Sequence, residues 1–217
     1  MIITEQKPLA EIIDSLKNAT KVFLIGCGEC SATCKTGGEP EVKKMQAALE
    51  AQSKVVVGYC IPGAPCVAAQ IKTELAKHSK ELRQADAVLV LACGLGVQSV
   101  KDNDRLDLVV CPACNSLFGG ALDAQGNFVE KCSMCGECIL NETGGICPIT
   151  LCPKGLLNGP CGGVDKGKCE VDKDKECAWV LIYKEAQKRN KTGDFRKIKE
   201  PKDYKKTNKP RKLVMAK

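Results

Sequence analysis

Sixteen cysteines stand in a chain of 217 residues, and their spacing is the feature most able to do chemistry. Thiolates are soft ligands that select iron–sulfur clusters and zinc. Cys27, Cys30 and Cys34 form C-x2-C-x3-C on one short stretch, one thiolate fewer than the four a cubane cluster needs. Further on, Cys132, Cys135 and Cys138 form C-x2-C-x2-C, the opening of the bacterial ferredoxin signature. Cys147 with Pro148 follows after eight intervening residues instead of three, and then come Cys152 with Pro153, Cys161, Cys169 and Cys177. Those eight thiolates are enough for two four-iron clusters. Zinc competes for four-cysteine sites, but zinc ribbons pair C-x2-C units, whereas here a triplet precedes widely spaced singles. The cysteines together predict two or three 4Fe-4S clusters, with room for one zinc beside them.

The elements that must carry these thiols alternate. Leu9, Ile12, Ile13 and Leu16 fall at helical spacing before the apolar run KVFLIG. Val42, Met45 and Leu49 share a helical face before KVVVG, Lys54–Gly58. A helix after Pro65, with Val67, Ile71 and Leu75, leads to AVLVLA, Ala87–Ala92, and a shorter one from Gly94 leads to LDLVV, Leu106–Val110. Helices alternating with continuous apolar strands predict an α/β domain, a parallel sheet with flanking helices, over residues 1–120. From about Gly119 the periodicity stops, and a smaller cysteine-rich iron–sulfur module with a C-terminal helix is expected over 121–190, the helix carrying Trp179, Ile182, Tyr183 and Ala186 on one face. Residues 191–217 read as a basic tail, an extended and partly disordered arm with little to bury.

Every predicted strand ends in thiol. Cys27, Cys30 and Cys34 follow the first, Cys60 and Cys66 the second, Cys93 the third, and Cys111 and Cys114 the fourth. Open parallel sheets bind ligands outside the carboxyl ends of their strands, so the fourth thiolate of the N-terminal site is expected from Cys60 or Cys93, each directly after its strand. Spacing does not choose between them, and it leaves the roles of Cys66, Cys111 and Cys114 open. Two or three of the eight strand-end cysteines fit equally well as small buried apolar side chains.

Other chemistry is poorly supported. Gly26-Cys27-Gly28 resembles the start of a dinucleotide fingerprint, but Ser31 stands in place of its third glycine and Tyr59-Cys60 supplies no acidic residue for a ribose. His78 is the only histidine and lies among Lys77, Ser79 and Lys80, a solvated helix position. The net charge of +7 is a property of one end: Lys184–Lys217 holds 14 Lys and Arg against 4 Asp and Glu, and the rest of the chain 19 against 22. An acidic body argues against nucleic acid as a partner, and two aromatics in the arm make no stacking platform. No apolar run is long enough to cross a bilayer and the first residues lack a leader pattern, so a cytoplasmic protein is expected, where dense cysteine means metal or redox chemistry more than disulfides.

The stretch KCSMCGECILNETGGICPITLCPKGLLNGPCGGVDKGKCEVDKDKECAW, Lys131–Trp179, resembles the C-terminal domain associated with methylenetetrahydrofolate reductases of acetogens and related anaerobes. The Cys-Pro pairs, the Gly159-Pro160-Cys161-Gly162-Gly163 turn and the Cys169-Glu170 pair carry the likeness. GCGECSATCKTGG is similar to the preceding domain of the small iron–sulfur subunit of those enzymes, so the resemblance runs from about Lys21 to Tyr183. It implies a subunit that is not itself catalytic and relays electrons to a flavin-containing catalytic subunit making methyltetrahydrofolate, with an electron-donating iron–sulfur or flavoprotein subunit as the other partner. It assigns Cys27, Cys30 and Cys34 to the N-terminal site and Cys132, Cys135, Cys138, Cys147, Cys152, Cys161, Cys169 and Cys177 to the C-terminal ones. Two other classes compete: a zinc-dependent interaction or nucleic-acid-binding module using the basic arm, and a thiol reductase, which needs an accessible thiol of low pKa.

Overall fold

The chain opens with β1 (Ile2–Gln6) and α1 (Leu9–Ser15) and then alternates β2 (Lys21–Ile25), α2 (Cys30–Thr33), α3 (Glu39–Ala51), β3 (Val55–Cys60), α4 (Ala68–Lys77), α5 (Ser79–Leu82), β4 (Ala87–Val90), α6 (Gly94–Asn103) and β5 (Val109–Pro112). The computed structural model describes residues 1–214 and divides into two units, Met1–Phe118 and a second beginning at Gly119.

In the first unit β3, β2, β4 and β5 lie side by side in that order, all parallel. Alternate residues of each strand enter different cores. Val22 and Leu24 of β2 join Ile12, Leu16, Val42 and Leu49 of α1 and α3, while Phe23 and Ile25 join Ile71, Leu82 and Val100 of the other helices. A strand buried on both faces must be apolar throughout, which is why these runs show no alternation. Each such side chain contributes about 1.5–3 kcal/mol when fully buried.

The four expected sheet strands and their helices are present, with β3 running on to include Cys60, β4 ending at Val90 and a larger shift at β5. β5 begins at Val109 and not at Leu106, because the Asp104 carboxylate accepts the N–H groups of Leu106 (2.9 Å) and Leu108 (2.6 Å) and Asp107 turns through φ 53°. Those bonds hold the segment as a turn, an alternative to the ladder that Asp offers readily. β1 was not legible in the sequence, nor was β6 (Cys114–Leu122) with its antiparallel partner β7 (Phe128–Glu130). Gly119 and Gly120 interrupt the pattern of β6; the Asp123 carboxylate then closes the hairpin by accepting from the N–H groups of Gln125 and Asn127.

The second unit has little regular structure beyond β7: α7 (Pro148–Leu151), α8 (Ala178–Lys188) and two 3-10 turns, Thr192–Arg196 and Tyr204–Thr207. Its apolar core is small, Cys177, Trp179 and Ile182 with Ile146, Leu156, Val164, Val180 and Phe195 around them. The arm expected to be disordered is in contact with this unit. Phe195 packs edge-on to Trp179, the Asn158 side chain exchanges two hydrogen bonds with the Lys199 backbone, and Lys199 pairs with Glu142. Composition predicted a solvated arm because its apolar content is low; fixed polar partners along the unit supply what burial does not. Among the described residues no helix is long and apolar enough to cross a membrane.

Candidate metal centres

The strand order reverses between β2 and β4, since β3 lies on one side of β2 and β4 on the other. In such sheets the crevice at that reversal is the ligand site. The loop leaving β2 carries Cys27, Cys30 and Cys34, with Cys30 opening α2, and Cys93 caps α6 directly beyond β4. The loop is pinned by backbone: Gly26 N–H donates to Cys60 O (2.8 Å), Cys27 N–H to Gly37 O (2.8 Å) and Gly28 N–H to Pro62 O (2.9 Å). It returns so close to β4 that a Cβ on Gly37 would stand 1.8 Å from Leu91 O. Any side chain there would lift the thiol loop off the strand end.

Six thiols gather at this edge. Burial raises the pKa of Cys66, and the charges of Cys93, Cys27 and Cys30 raise it further. Burial pushes Cys114 up to about 12, against a hydrogen bond to Thr36 O, with Cys93, Cys34 and Cys27 adding to the rise. Cys66 thus lies near Cys93, Cys27 and Cys30, and Cys114 near Cys93, Cys34 and Cys27. Cys60 shares a buried core with Cys27, and Cys111 one with Cys114. Cys60 is pushed up to about 12 by burial, and its charged neighbours are Glu74 and Lys77. Cys111 donates to Ser15 O at 3.6 Å, and burial raises its pKa. Both thiols left open by spacing lie by the triplet's edge, Cys93 near Cys66 and Cys114 and Cys60 in the apolar cluster that includes Cys27. Cys66 and Cys114 were among the strand-end thiols in the sequence with their roles left open, and the strand order, once known, points to the β2–β4 edge.

The second unit holds two further groups. Cys152 at the end of α7, Cys161, Cys169 and Cys177 at the start of α8 line one small cavity with Pro153, Pro160 and Trp179. Cys161 Sγ donates to Glu170 Oε2 at 3.3 Å, and Glu170 is paired with Lys154. A Cβ on Gly163 would fall 1.4 Å from Glu170 Oε2, so the glycine leaves the room in which this carboxylate reaches the thiol.

The Cys132–Cys138 loop turns at Met134 (φ 54°) and Gly136 (φ 78°), and Met134 N–H donates to Cys132 Sγ at 3.3 Å. Lys202 of the arm is 9% exposed; its ammonium donates to Cys135 Sγ at 2.9 Å and to Glu137 O. That bond, first among several, holds the Cys135 thiol below its usual pKa. Glu137 in turn accepts Asp203 N–H at 3.0 Å and pairs with Lys206 at 3.2 Å. Cys138 is exposed, and Cys147 sits at the head of α7 with Sγ 3.6 Å from Thr150 Oγ1. Lys202 was invisible in the sequence, one cation among 33.

The donor set fits a thiolate-bound metal group. Thiols bind a metal as thiolates, the cation taking the proton's place, and Ser31 Oγ, buried within the Cys27–Cys34 loop, has no hydrogen-bond partner, leaving a donor of the kind cluster sulfurs accept. Among the described residues no three His, Cys, Asp or Glu side chains stand, as placed, in an arrangement that holds a metal ion.

A parallel sheet that collects thiols where its strand order reverses, followed by a cysteine-rich unit, defines a thiol-rich α/β protein. Residues 111–205 match the family described as methylene-tetrahydrofolate reductase C terminal, and this relates the protein to methylenetetrahydrofolate reductase. The match takes in all eight thiols from Cys132 to Cys177 and reaches back to Cys111. Searches of curated proteins and of solved structures found no match.

Proposed function

We propose that the chain is the iron–sulfur electron-transfer subunit of a methylenetetrahydrofolate reductase complex, working beside a flavin-containing catalytic subunit and fed by an iron–sulfur or flavoprotein donor. The observation that carries this reading is the gathering of Cys27, Cys30, Cys34, Cys66, Cys93 and Cys114 at the crevice of a parallel sheet. Cys27, Cys30, Cys34 and Cys93 are the set assigned to one cluster, with Cys66 and Cys114 as neighbours. In the second unit Cys152, Cys161, Cys169 and Cys177 form one set, and Cys132, Cys135, Cys138 and Cys147 the other. Bound clusters would supply reversible one-electron storage. The chain's own part is to exclude water, to fix the thiols on a rigid strand edge, and to donate hydrogen bonds, from Lys202 at Cys135 and from backbone amides, of the sort that tune such groups.

Two observations set the alternatives back. Lys199, Lys202 and Lys206 are engaged by Glu142, Cys135 and Glu137, so much of the arm's charge is spent within its own unit and not offered to phosphates. Thiol exchange would centre on Cys135, whose pKa is lowered, yet that thiol is held by a buried lysine.

Anaerobic purification followed by iron, acid-labile sulfide and zinc analysis, with EPR of the dithionite-reduced protein, tests the reading. Roughly eight to twelve irons with matching sulfide are expected for two or three four-iron clusters. Zinc with negligible sulfide in folded protein would remove the electron-transfer function.

A further inference from the structure

We propose that the second unit carries a separate binding site for a planar heteroaromatic ring with an anionic tail, in the groove between α8 and the segment Asp194–Lys199. The groove encloses about 420 Å³, within the range of small-molecule and cofactor sites. Aromatic side chains form its walls: Trp179 and Tyr183 from α8 and Phe195 from the 3-10 turn, with Leu157 and Pro160 beside them.

These rings are held in place before any ligand arrives. Trp179 Nε1 donates to Leu156 O at 2.9 Å, fixing the indole. Phe195 stands edge-on to it, centroids 6.2 Å apart at 82°, and tilts against Tyr183 at 6.2 Å and 37°. Tyr183 is still 49% exposed and Ile198, at the same groove, 85%. Apolar rings set rigidly around an open space offer the faces and edges against which a flat ring packs.

Charge selects the rest of the ligand. Lys197, Lys199 and Asp194 line the groove; Lys199 is paired with Glu142, so Lys197 is the cation left to meet an anionic tail and Asp194 the carboxylate that the tail must stay clear of. The location adds a reason for the ring to be redox-active. Trp179 and Pro160 line both this groove and the cavity walled by Cys152, Cys161, Cys169 and Cys177, so a bound ring is one side chain away from those thiols. Binding itself follows from the groove and does not depend on what the thiols hold.

Trp179 is the chain's single tryptophan, so its emission reports this groove without interference. The full anaerobic chain would be titrated with flavin mononucleotide and, separately, with lumiflavin, which has the ring and no phosphate, following Trp179 quenching and flavin anisotropy. Saturable binding of both is expected. Tyr183→Ala and Ile198→Asp should weaken both ligands about tenfold, and Lys197→Glu should weaken the mononucleotide about tenfold while sparing lumiflavin. Ile198 is exposed enough that its replacement leaves the fold intact. No saturation up to about 1 mM flavin mononucleotide, near the weak end of useful affinity, or affinities unchanged in Tyr183→Ala and Ile198→Asp, would overturn the site. Iron and sulfide content, measured on the same samples, reads the thiol sites independently.

Discussion

The two units of this protein hold cysteine in opposite ways. In the first, thiols are mounted on an apolar scaffold that is complete without them: Val22, Phe23, Leu24, Ile25, Leu89 and Val90 are fully buried whatever the cysteines bind. In the second, the cysteines are a large part of the interior themselves, since the core around Trp179 and Ile182 counts Cys177 as a member and the neighbouring cavity is walled by four thiols. With the clusters proposed above, a unit with so few buried apolar residues would gain its stability from ligation, as small metal-organised domains do. Under the proposed function the first unit would position a cofactor, and the second would depend on one.

The largest effect should come from stripping that cofactor. After anaerobic chelation, hydrogen exchange is expected to stay slow at Leu24 and Leu89, in the middle of the parallel sheet, and to become fast at Lys168, Cys169 and Cys177, whose amides are bonded within the second unit's loops. Equal loss of protection in both units would break the comparison. Next comes a single thiol at the sheet edge. Cys93→Ser should release about four irons, one cluster, and Cys60→Ser none, on the ligand set proposed above. Metal analysis of the two variants decides it, and iron lost from Cys60→Ser instead would move the site to β3.

A core substitution sharpens the same contrast from the other side. Leu89→Ala in β4 should cost the first unit about 2–5 kcal/mol, the range for large-to-small changes in a packed core. Urea unfolding followed by far-UV circular dichroism would show that loss, while Trp179 emission, which reports the second unit, keeps its midpoint. Coincident shifts in both signals would mean that the units unfold as one.

The same contrast explains what the sequence could tell. Apolar runs such as KVFLI and AVLV read directly as strands because burial on both faces imposes one composition. The cysteine triplets were legible because ligand spacing is local. Cys66 and Cys114 were visible as strand-end thiols but not in their roles, since those depend on strand order, a long-range property that places residues far apart in sequence at one edge. The same holds for Lys202, 67 residues from Cys135; nothing in its neighbours distinguishes a buried lysine from the solvated ones. β1 escaped for a different reason: the polar Thr4 within it is buried, its hydroxyl hydrogen-bonded to that of Thr36 at 2.6 Å, so hydropathy alone under-read the strand.

Lys202 offers a finer test. Its ammonium meets a thiol proposed as a ligand, and partners of this kind typically change metal affinity 10–100-fold. Lys202→Gln should accordingly raise the chelator sensitivity of the second unit by about that factor without altering the first, as read from iron release under competition. Glutamine keeps a donor but not the charge, so a result identical to wild type would reduce Lys202 to an anchor for the arm.

The smallest effect belongs to the edge of the sheet opposite the thiols. Asp86, just before β4, accepts the N–H groups of Thr20 (2.9 Å) and Lys21 (2.8 Å) through one carboxylate oxygen, and those bonds, that of Lys21 first, hold its pKa below the usual carboxylate value. A carboxyl whose pKa is depressed by folding stabilises the folded state above its unfolded pKa, near 4, and that contribution fades as pH falls through the lower folded value. Asp86→Asn should therefore be less stable than the parent at neutral pH and approach it in acid. Urea midpoints of the first unit across that range would measure it. A constant gap at every pH would mean that the geometry of the turn, and not the charge, carries the bond, and would leave the stability of the sheet to its apolar core alone.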